Sequence, residues 1–442
     1  MTRKLLAPFL GALVACLAIA GPVRADEVTD WNQTLFRSAV IAATSPLNTT
    51  RVAALVQAAV FDAINGIDRR YTPIHVPPNA PPGASRRAAA VAAAYVMLSK
   101  NYGTGGLLTQ TQQGILNARR DAALIVIAAD ESPGAITDGV NWGTQVANLI
   151  WDWRSGDGFS LAAPTFPGSP LVGQWRPTPN APATGTSTLG VGYPQFFNPS
   201  PMFTWSGISL SQVDPGPPPA LGSARYLQDY NETKSMGSQN SPLRTPDQTI
   251  GALFWNSSTA GYIWNRLAVS LIQARDRDRE EEGRGHRYNT LLENARLLAA
   301  LNVAVADAAY GCWTAKYTYT YWRPITAIRE DDGNPATAQD PSWSPLFATP
   351  GHPEYPSGHS CLSGAAAAII GSEFGTHIPI TVTSDTMIGV SRRFHGFTEA
   401  LEDVKNARIF SGIHFRTATE AGTSLGADVA TYVIENMFQK VN

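Results

Sequence analysis

The stretch "HPEYPSGHSCLSGAAAAII", residues 352–370, joins a proline-rich turn to an apolar helix of small residues. Ser357, Gly358 and His359 lie where that helix is predicted to begin. The first N–H groups of a helix lack partners within it, and the helix dipole places partial positive charge there. A hydroxyl, a glycine and a titratable imidazole at this point indicate an anion site. The alternative is a capped helix with an incidental histidine.

A second stretch, "KYTYTYWRPITAIR" at residues 316–329, supplies two cations. Lys316 and Arg323 are seven residues apart, a spacing that would place both on one face of a helix. Arginine offers a planar fork for oxyanions, and lysine acts as a point charge. The alternative is a pair of surface cations beside aromatic packing.

A third stretch, "NARIFSGIHFRTATEAG" at residues 406–422, contains Arg408 and His414. Their separation of six does not suit one helix face, so Gly412 is predicted to break or bend the chain between them. His414 could otherwise be a core histidine whose ring is satisfied.

The rest of the chain predicts an all-α protein of packed antiparallel helices with few strands. We predict a helical region at 26–158, an irregular Pro/Gly-rich segment at 159–246, and a second helical bundle at 247–442 that contains the three stretches. The tryptophans and phenylalanines of the irregular segment indicate that it packs on the core.

Residues 1–25 have the pattern of a secretory signal peptide, with Arg3 and Lys4 before an apolar run and small residues preceding a cleavage site near Ala25. We therefore expect export to the periplasm or the medium. Lipoprotein anchoring at Cys16 is the alternative. After cleavage, Cys312 and Cys361 remain, either as one disulfide or as two buried thiols.

Composition excludes some partners. The formal net charge of the 442 residues is -2, which offers no global attraction to nucleic acid. No later segment has about 18 uninterrupted apolar residues, so we expect no membrane span. The sequence leaves the oligomeric state open, including a homo-oligomer.

Taken together, the three stretches resemble the signature of the superfamily of type 2 phosphatidic acid phosphatases (PAP2) and vanadium-dependent haloperoxidases. That signature is a lysine, six residues and Arg-Pro, then Pro-Ser-Gly-His, then an arginine, five residues and a histidine. It covers roughly the last 130 residues. "DAINGIDRRYTP", residues 62–73, also resembles exported bacterial haloperoxidase-like proteins. The resemblance implies a PAP2/haloperoxidase-like helical bundle.

The resemblance also implies roles for individual residues. The oxygens of vanadate, or of phosphate in the same site, would be held by Lys316, Arg323, Arg408, Ser357 and the Gly358 N–H. His414 would bond the central atom, as the vanadium ligand of a haloperoxidase or as the phosphohistidine nucleophile of a phosphatase. His359 would be the acid-base group.

Two positions depart from the family pattern. Ala418 stands where an acidic residue commonly orients the terminal histidine, and the candidates to replace that carboxylate are Glu420 and a backbone carbonyl. A nucleophile needs activation, so this absence counts more against a phosphohistidine than against a vanadium ligand. Ala407 stands where serine is usual, a loss of about 1 kcal/mol if one hydrogen bond is missing.

The sequence thus favours a vanadate-dependent haloperoxidase that converts a halide to hypohalous acid with hydrogen peroxide, for reaction with a small organic substrate. Lys316 would polarise the bound peroxide. His352 falls where algal bromoperoxidases carry a second histidine, which favours bromide or iodide; otherwise it is a loop histidine on the rim. The alternatives are an exported acid phosphatase and a non-catalytic interaction protein on the same scaffold.

Overall fold

The computed structural model of the 442-residue chain describes residues 26–103, 106–159, 166–179, 204–282 and 290–441. The predicted signal peptide, with Cys16, lies outside the described residues.

The described chain is built from α-helices, as the sequence predicts. Five occupy the N-terminal part: α1 (Glu27–Ile41), α2 (Pro46–Asp68), α3 (Arg86–Tyr102), α4 (Gly106–Ile127) and α5 (Pro133–Ser155). Eight follow: α6 (Ala224–Met236), α7 (Pro246–Asn256), α8 (Ala260–Glu281), α9 (Leu291–Tyr319), α10 (Pro324–Arg329), α11 (Gly358–Phe374), α12 (Phe397–Phe410) and α13 (Arg416–Asn436).

Polar side chains determine where several helices begin. Asp26, Ser45, Ser85 and Ser132 each accept a hydrogen bond from the backbone N–H three residues later. Each bond satisfies one of the N–H groups that a helix start leaves unpaired. The N-terminal helices therefore begin where short-range sequence signals place them.

The helix α9 forms the centre of the protein. It packs against α2, α11 and α13, and most of its residues are buried. Among the described helices, α9 alone has the length and hydropathy of a membrane span, and 94% of its most apolar 18-residue window lies inside the protein. Its C-terminal end brings Lys316 into the interior.

One short hairpin accompanies the helices in the described part of the chain. Strands β1 (Ile380–Thr383) and β2 (Ser391–Phe394) are antiparallel, with Ile380 opposite Phe394. The hairpin packs beside α8 and α12 and contributes no residue to the site described below.

The Pro/Gly-rich segment contacts the end of α9 where the structure describes it. Trp175 N–H donates to Thr320 O at 2.6 Å, and Trp322 N–H donates to Gly173 O at 3.1 Å. The segment is not irregular throughout, because α6 forms within it behind the N-cap Ser223. Its contacts hold the chain that leads from Lys316 to Arg323.

Candidate oxyanion site

Lys316 and Arg323 come together, but not on one helix face as their spacing predicts. The helix α9 ends at Tyr319, and Thr320 adopts a left-handed conformation with φ 47°. Arg323 is extended, with ψ 153°, because the following Pro324 disfavours a helical conformation at the preceding residue. The two cations therefore meet through a turn and not through helical periodicity.

The Lys316 ammonium is fully buried against the turn that precedes α11. It donates to the carbonyl oxygens of Pro353 at 2.9 Å and Glu354 at 3.0 Å, and also to that of Pro356. An ammonium has three N–H donors, so each is matched by one carbonyl. Lys316 thus stabilises the proline-rich turn.

The start of α11 lies on this turn. Ser357 is the N-cap residue, and its backbone N–H donates to Ala418 O at 2.8 Å. A Cβ at Gly358 would lie 2.8 Å from the Trp313 ring. Glycine is therefore needed at 358 because the indole of α9 occupies the space over it.

His414 lies in the tight connection between α12 and α13. Gly412, at φ +73°, makes the break that the sequence predicts, and a Cβ there would lie 2.4 Å from Gly237 O. The His414 ring is 2% exposed. Its Nδ1 lies 2.8 Å from Glu354 Oε1, which also accepts the Phe415 N–H at 3.0 Å.

Arg323 contacts the other nitrogen of the same ring. Its Nη1 lies 3.2 Å from His414 Nε2 and donates to Ile413 O at 2.8 Å. A guanidinium can only donate, so the Nε2 of His414 accepts and its Nδ1 carries the proton that Glu354 accepts. This hydrogen-bond network assigns a neutral tautomer whose lone pair is on Nε2.

His352 adjoins Arg323 as well. Its carbonyl accepts the Arg323 Nε–H at 2.9 Å, and its Nδ1 lies 3.1 Å from Arg323 Nη2. Its ring centroid is 5.1 Å from that of Trp313. His352 therefore lies at the border of the site, half-buried between a cation and an indole.

Arg408 and His359 complete the group. Arg408, in the last turn of α12, is 2% exposed, and its Nη1 donates to Asn256 Oδ1 at 3.3 Å. His359 follows Gly358 in the first turn of α11 and is half-buried. The structure thus brings all seven predicted binding and acid-base residues, together with His352, into one interior region.

The electrostatics of this region are unfavourable without an anion. Burial, then the charges of Arg323 and Arg408, lowers the pKa of Lys316 well below its usual value. Burial and Arg323 lower the pKa of Arg408 to about 9. Three cations are therefore held near one another in a region where Glu354 is the only carboxylate that we find in contact with the described site residues.

Burial and the nearby cations also shift the pKa values of Glu354 and of the three histidines in this region. Burial raises the pKa of Glu354 to about 8, although Arg323, the Phe415 N–H and Lys316 oppose that rise. Burial and the neighbouring cations lower the pKa values of His352 and His414 well below the usual histidine value. Burial and Arg408 lower that of His359. The three histidines are consequently neutral near pH 7.

Two unsatisfied donors and one unpaired imidazole nitrogen show which kind of group fits the site. Within the described part of the chain, Ser357 Oγ, Arg408 Nε and His359 Nε2 are buried and have no hydrogen-bond partner. Each unpaired buried polar group costs about 1–3 kcal/mol. Buried cations with spare N–H and O–H donors fit a tetrahedral oxyanion such as vanadate or phosphate. Among the described residues, no three His, Cys, Asp or Glu side chains form a cluster for a bare metal cation.

Glu354 is the functional residue that the sequence interpretation missed. Glu420, a predicted candidate to replace the acidic residue missing at 418, does not do so, because it pairs with Arg225 at 2.6 Å on the surface. Ala418 instead supplies the carbonyl that holds Ser357. The sequence signal that could have identified Glu354 is its place as a carboxylate inside the proline-rich turn, two residues after His352.

The two cysteines left open by the sequence are paired. Cys312 of α9 and Cys361 of α11 form a buried disulfide. It lies directly behind the site, since Cys312 Sγ is 3.8 Å from Pro356 O.

Comparisons with known proteins show which proteins the chain resembles. A family model described as the VCPO second helical-bundle domain matches residues 296–442. That range contains the three cations, the α11 turn and His414. Solved structures with similar architecture include the first bacterial vanadium-dependent iodoperoxidase, at a TM-score of 0.72 and 24% identity over 95% of this chain and 98% of that chain.

The chain has the vanadium-haloperoxidase fold. A bacterial vanadium-dependent chloroperoxidase in its holo form shares the haloperoxidase fold at a TM-score of 0.67 and 15% identity, over 94% of this chain and 98% of that one. The vanadium chloroperoxidase of Curvularia inaequalis is 25% identical over 296 residues, which are 51% of this chain and 47% of that protein. The chain thus matches about half the length of this curated haloperoxidase.

Proposed function

We propose that this protein is an exported vanadate-dependent haloperoxidase. It would oxidise a halide, with bromide or iodide favoured, by hydrogen peroxide to hypohalous acid, which then reacts with a small organic substrate. The observation that carries the proposal is the state of His414. Its Nδ1–H is directed at Glu354, and its Nε2 lone pair is presented beside Arg323 among buried cations.

The residues fit vanadate through charge and donor geometry. Arg323 and Arg408 would neutralise its negative oxygens, and the free donors of Ser357 and Arg408 would bond to them. The Gly358 N–H belongs to the first turn of α11, where the helix dipole favours an anion. His414 Nε2 would bond the central atom in place of the hydrogen bond that it accepts from Arg323. Bound vanadate would supply Lewis-acid activation of peroxide without a change in its own oxidation state.

Lys316 acts on the site through its hydrogen bonds to the turn and through its positive charge. Its ammonium holds the turn through three carbonyl oxygens. If the ammonium donates directly to an oxyanion, or to the peroxide that it would polarise, that bond replaces one of its three bonds to the turn. The positive charge itself acts on the site in either arrangement, because interactions in a buried region are weakly screened.

His359 is the proposed acid-base group and His352 the proposed halide-tuning residue. The lowered pKa of His359 makes its imidazole a proton acceptor near neutral pH, with Nε2 unpaired in the described structure. His352 is half-buried beside Trp313 and Arg323, where a halide would meet one cation and one aromatic edge.

A phosphatase acting through a phosphohistidine is the second candidate, and Glu354 favours it. The missing carboxylate at 418 counts against nucleophilic activation of His414. Glu354 provides an equivalent interaction at 2.8 Å from Nδ1. Both activities would use the same cations because vanadate and phosphate share charge and shape.

A paired assay on the whole exported chain tests these functions. Bromination of a diketone dye with peroxide is measured with and without added vanadate, and p-nitrophenyl phosphate hydrolysis is measured without vanadate. We expect vanadate-dependent bromination that is lost in His414→Ala and kept in His377→Ala, a control at an exposed histidine. Phosphate-ester turnover without bromination would reject the haloperoxidase. Neither activity in folded protein would favour a non-catalytic scaffold.

Export is part of the proposal. Cleavage near Ala25 would make Asp26 the first residue, and Asp26 caps α1. N-terminal sequencing of protein recovered from the periplasm or medium should begin at Asp26. A lipid-modified Cys16 at the N-terminus would support the lipoprotein alternative instead.

A further inference from the structure

The Cys312–Cys361 disulfide joins α9, which carries Lys316, to α11, which begins directly after Ser357. Cys312 lies one helical turn before Lys316 on α9, so both side chains project from the same side of that helix. Cys361 lies one turn after Ser357, and its N–H donates to Ser357 O at 3.0 Å. The covalent bond is therefore one helical turn from a site residue at each end.

The disulfide spans elements that are far apart in the chain. The two cysteines are 49 residues apart, and that interval includes Arg323 and the entire proline-rich turn. Polar contacts also join α9 to the turn before α11, because Lys316 donates to the carbonyls of Pro353, Glu354 and Pro356. The Trp313 ring, packed over Gly358, adds an apolar contact.

Electrostatics oppose this arrangement when no anion is bound. The Lys316 ammonium lies beside the N-terminal end of α11, where the helix dipole is positive. Arg323 and Arg408 add further positive charge nearby, and their charges, after burial, lower the pKa of Lys316. This repulsion opposes the attraction between Lys316 and the three carbonyls of the turn, and a covalent link between α9 and α11 adds to that attraction in holding the two helices together.

We propose that the Cys312–Cys361 disulfide is a positioning element of the oxyanion site, which keeps Lys316 and the Ser357–His359 turn in register before the anion binds. The inference rests on the proposed binding of vanadate or phosphate at this site. A site held in its binding geometry loses less free energy to ordering when the ligand arrives. Breaking the bond should then weaken anion binding by more than loss of global stability explains.

The test compares wild-type protein with Cys312→Ala/Cys361→Ala, using calorimetric titration with inorganic vanadate and, separately, inorganic phosphate. Thermal unfolding is recorded for both proteins. Leu98→Ala is the matched control, because Leu98 is fully buried in α3 and lies in the N-terminal helical region, outside the site. Thiol titration of denatured wild-type protein, before and after reduction, establishes that Cys312 and Cys361 are paired.

We expect the double variant to bind vanadate at least tenfold more weakly at a temperature well below its unfolding transition. Leu98→Ala should unfold earlier but bind vanadate as wild type does. Equal affinity in the wild-type protein and the double variant would overturn the positioning role while leaving the proposed function intact. Wild-type protein that binds neither anion would overturn both. If the double variant does not fold, Cys361→Ala breaks the same bond with one substitution and is judged by the same comparison.

Discussion

His414 is oriented by a carboxylate that lies sixty residues earlier in the chain: Glu354 Oε1 is 2.8 Å from His414 Nδ1. Both side chains are almost fully buried. Glu354 also accepts the Phe415 N–H, so its carboxylate is held both by the His414 ring and by the backbone of the next residue. The pair determines which imidazole nitrogen is available to the oxyanion.

Removal of this carboxylate should lower both vanadate affinity and bromination. Substitutions of groups that orient a ligating histidine typically cost 10–100-fold, and we expect about that loss in Glu354→Ala. Glu354→Gln should retain more activity, since an amide oxygen still accepts the Nδ1–H. Vanadate titration and initial rates measure both effects. Glu420→Gln is the control, and an equal loss there would reject the assigned role of Glu354.

Arg408 should illustrate a conflict between stability and binding. It is buried among like charges, and burial with Arg323 lowers its pKa to about 9. A buried charge is costly unless it is paired, so Arg408→Met should raise the free energy of unfolding of the anion-free protein, by about the 1–4 kcal/mol found when buried ion pairs are replaced by apolar groups. The same change should weaken vanadate binding by about 10–100-fold through loss of a charge-assisted bond.

A second arginine provides the contrast for that experiment. Arg416 is ion-paired with Glu232 at 2.5 Å and donates to Asn406, so Arg416→Met should not stabilise the protein. Chemical denaturation with and without vanadate distinguishes the two variants. A less stable Arg408→Met protein, or one with wild-type affinity, would contradict the electrostatic account of the site.

Gly358 should tolerate no side chain, because its Cβ would lie 2.8 Å from the Trp313 ring. Gly358→Ala is expected to destabilise the protein by about 1–3 kcal/mol, the usual effect of overpacking, and to displace the start of α11. Gly114→Ala is a helical control with open space around the Cβ, and it should be neutral or stabilising by up to about 1 kcal/mol. Thermal unfolding of both variants checks the difference.

His359 should make the folded protein sensitive to acid. Its pKa is lowered in the folded state by burial and Arg408, so the unfolded chain binds more protons below about pH 6.5. Stability therefore rises with pH through the window between the folded and unfolded pKa values. As the pH decreases below 6.5, protonation of His359 in the unfolded chain lowers the free energy of unfolding by at most about 1.4 kcal/mol per pH unit.

The measurement is the free energy of unfolding at several pH values between 7 and 5. His359→Gln should flatten the dependence relative to wild type, whereas His377→Gln at an exposed position should not. An unchanged slope in His359→Gln would mean that this imidazole titrates equally in both states.

Local signals in the sequence determine much of the fold. Short polar caps and helical periodicity predict the all-α architecture, and Gly412 marks the break before His414 because its backbone conformation and close packing exclude a Cβ. The resemblance of the three motifs to the superfamily signature also groups Lys316, Arg323, Ser357, Arg408 and His414 into one site. Each of these predictions depends on residues within a few positions of one another, or on a pattern of residue types.

Tertiary structure alone decides the partners within that group. The helix ends between Lys316 and Arg323, so their meeting depends on a turn held by the Pro/Gly-rich segment. Glu354 reaches His414 only because α13 packs beside α11. Cys312 reaches Cys361 only because α9 also packs beside α11. Sequence spacing carries no information about such contacts, since they arise from the packing of whole helices against one another.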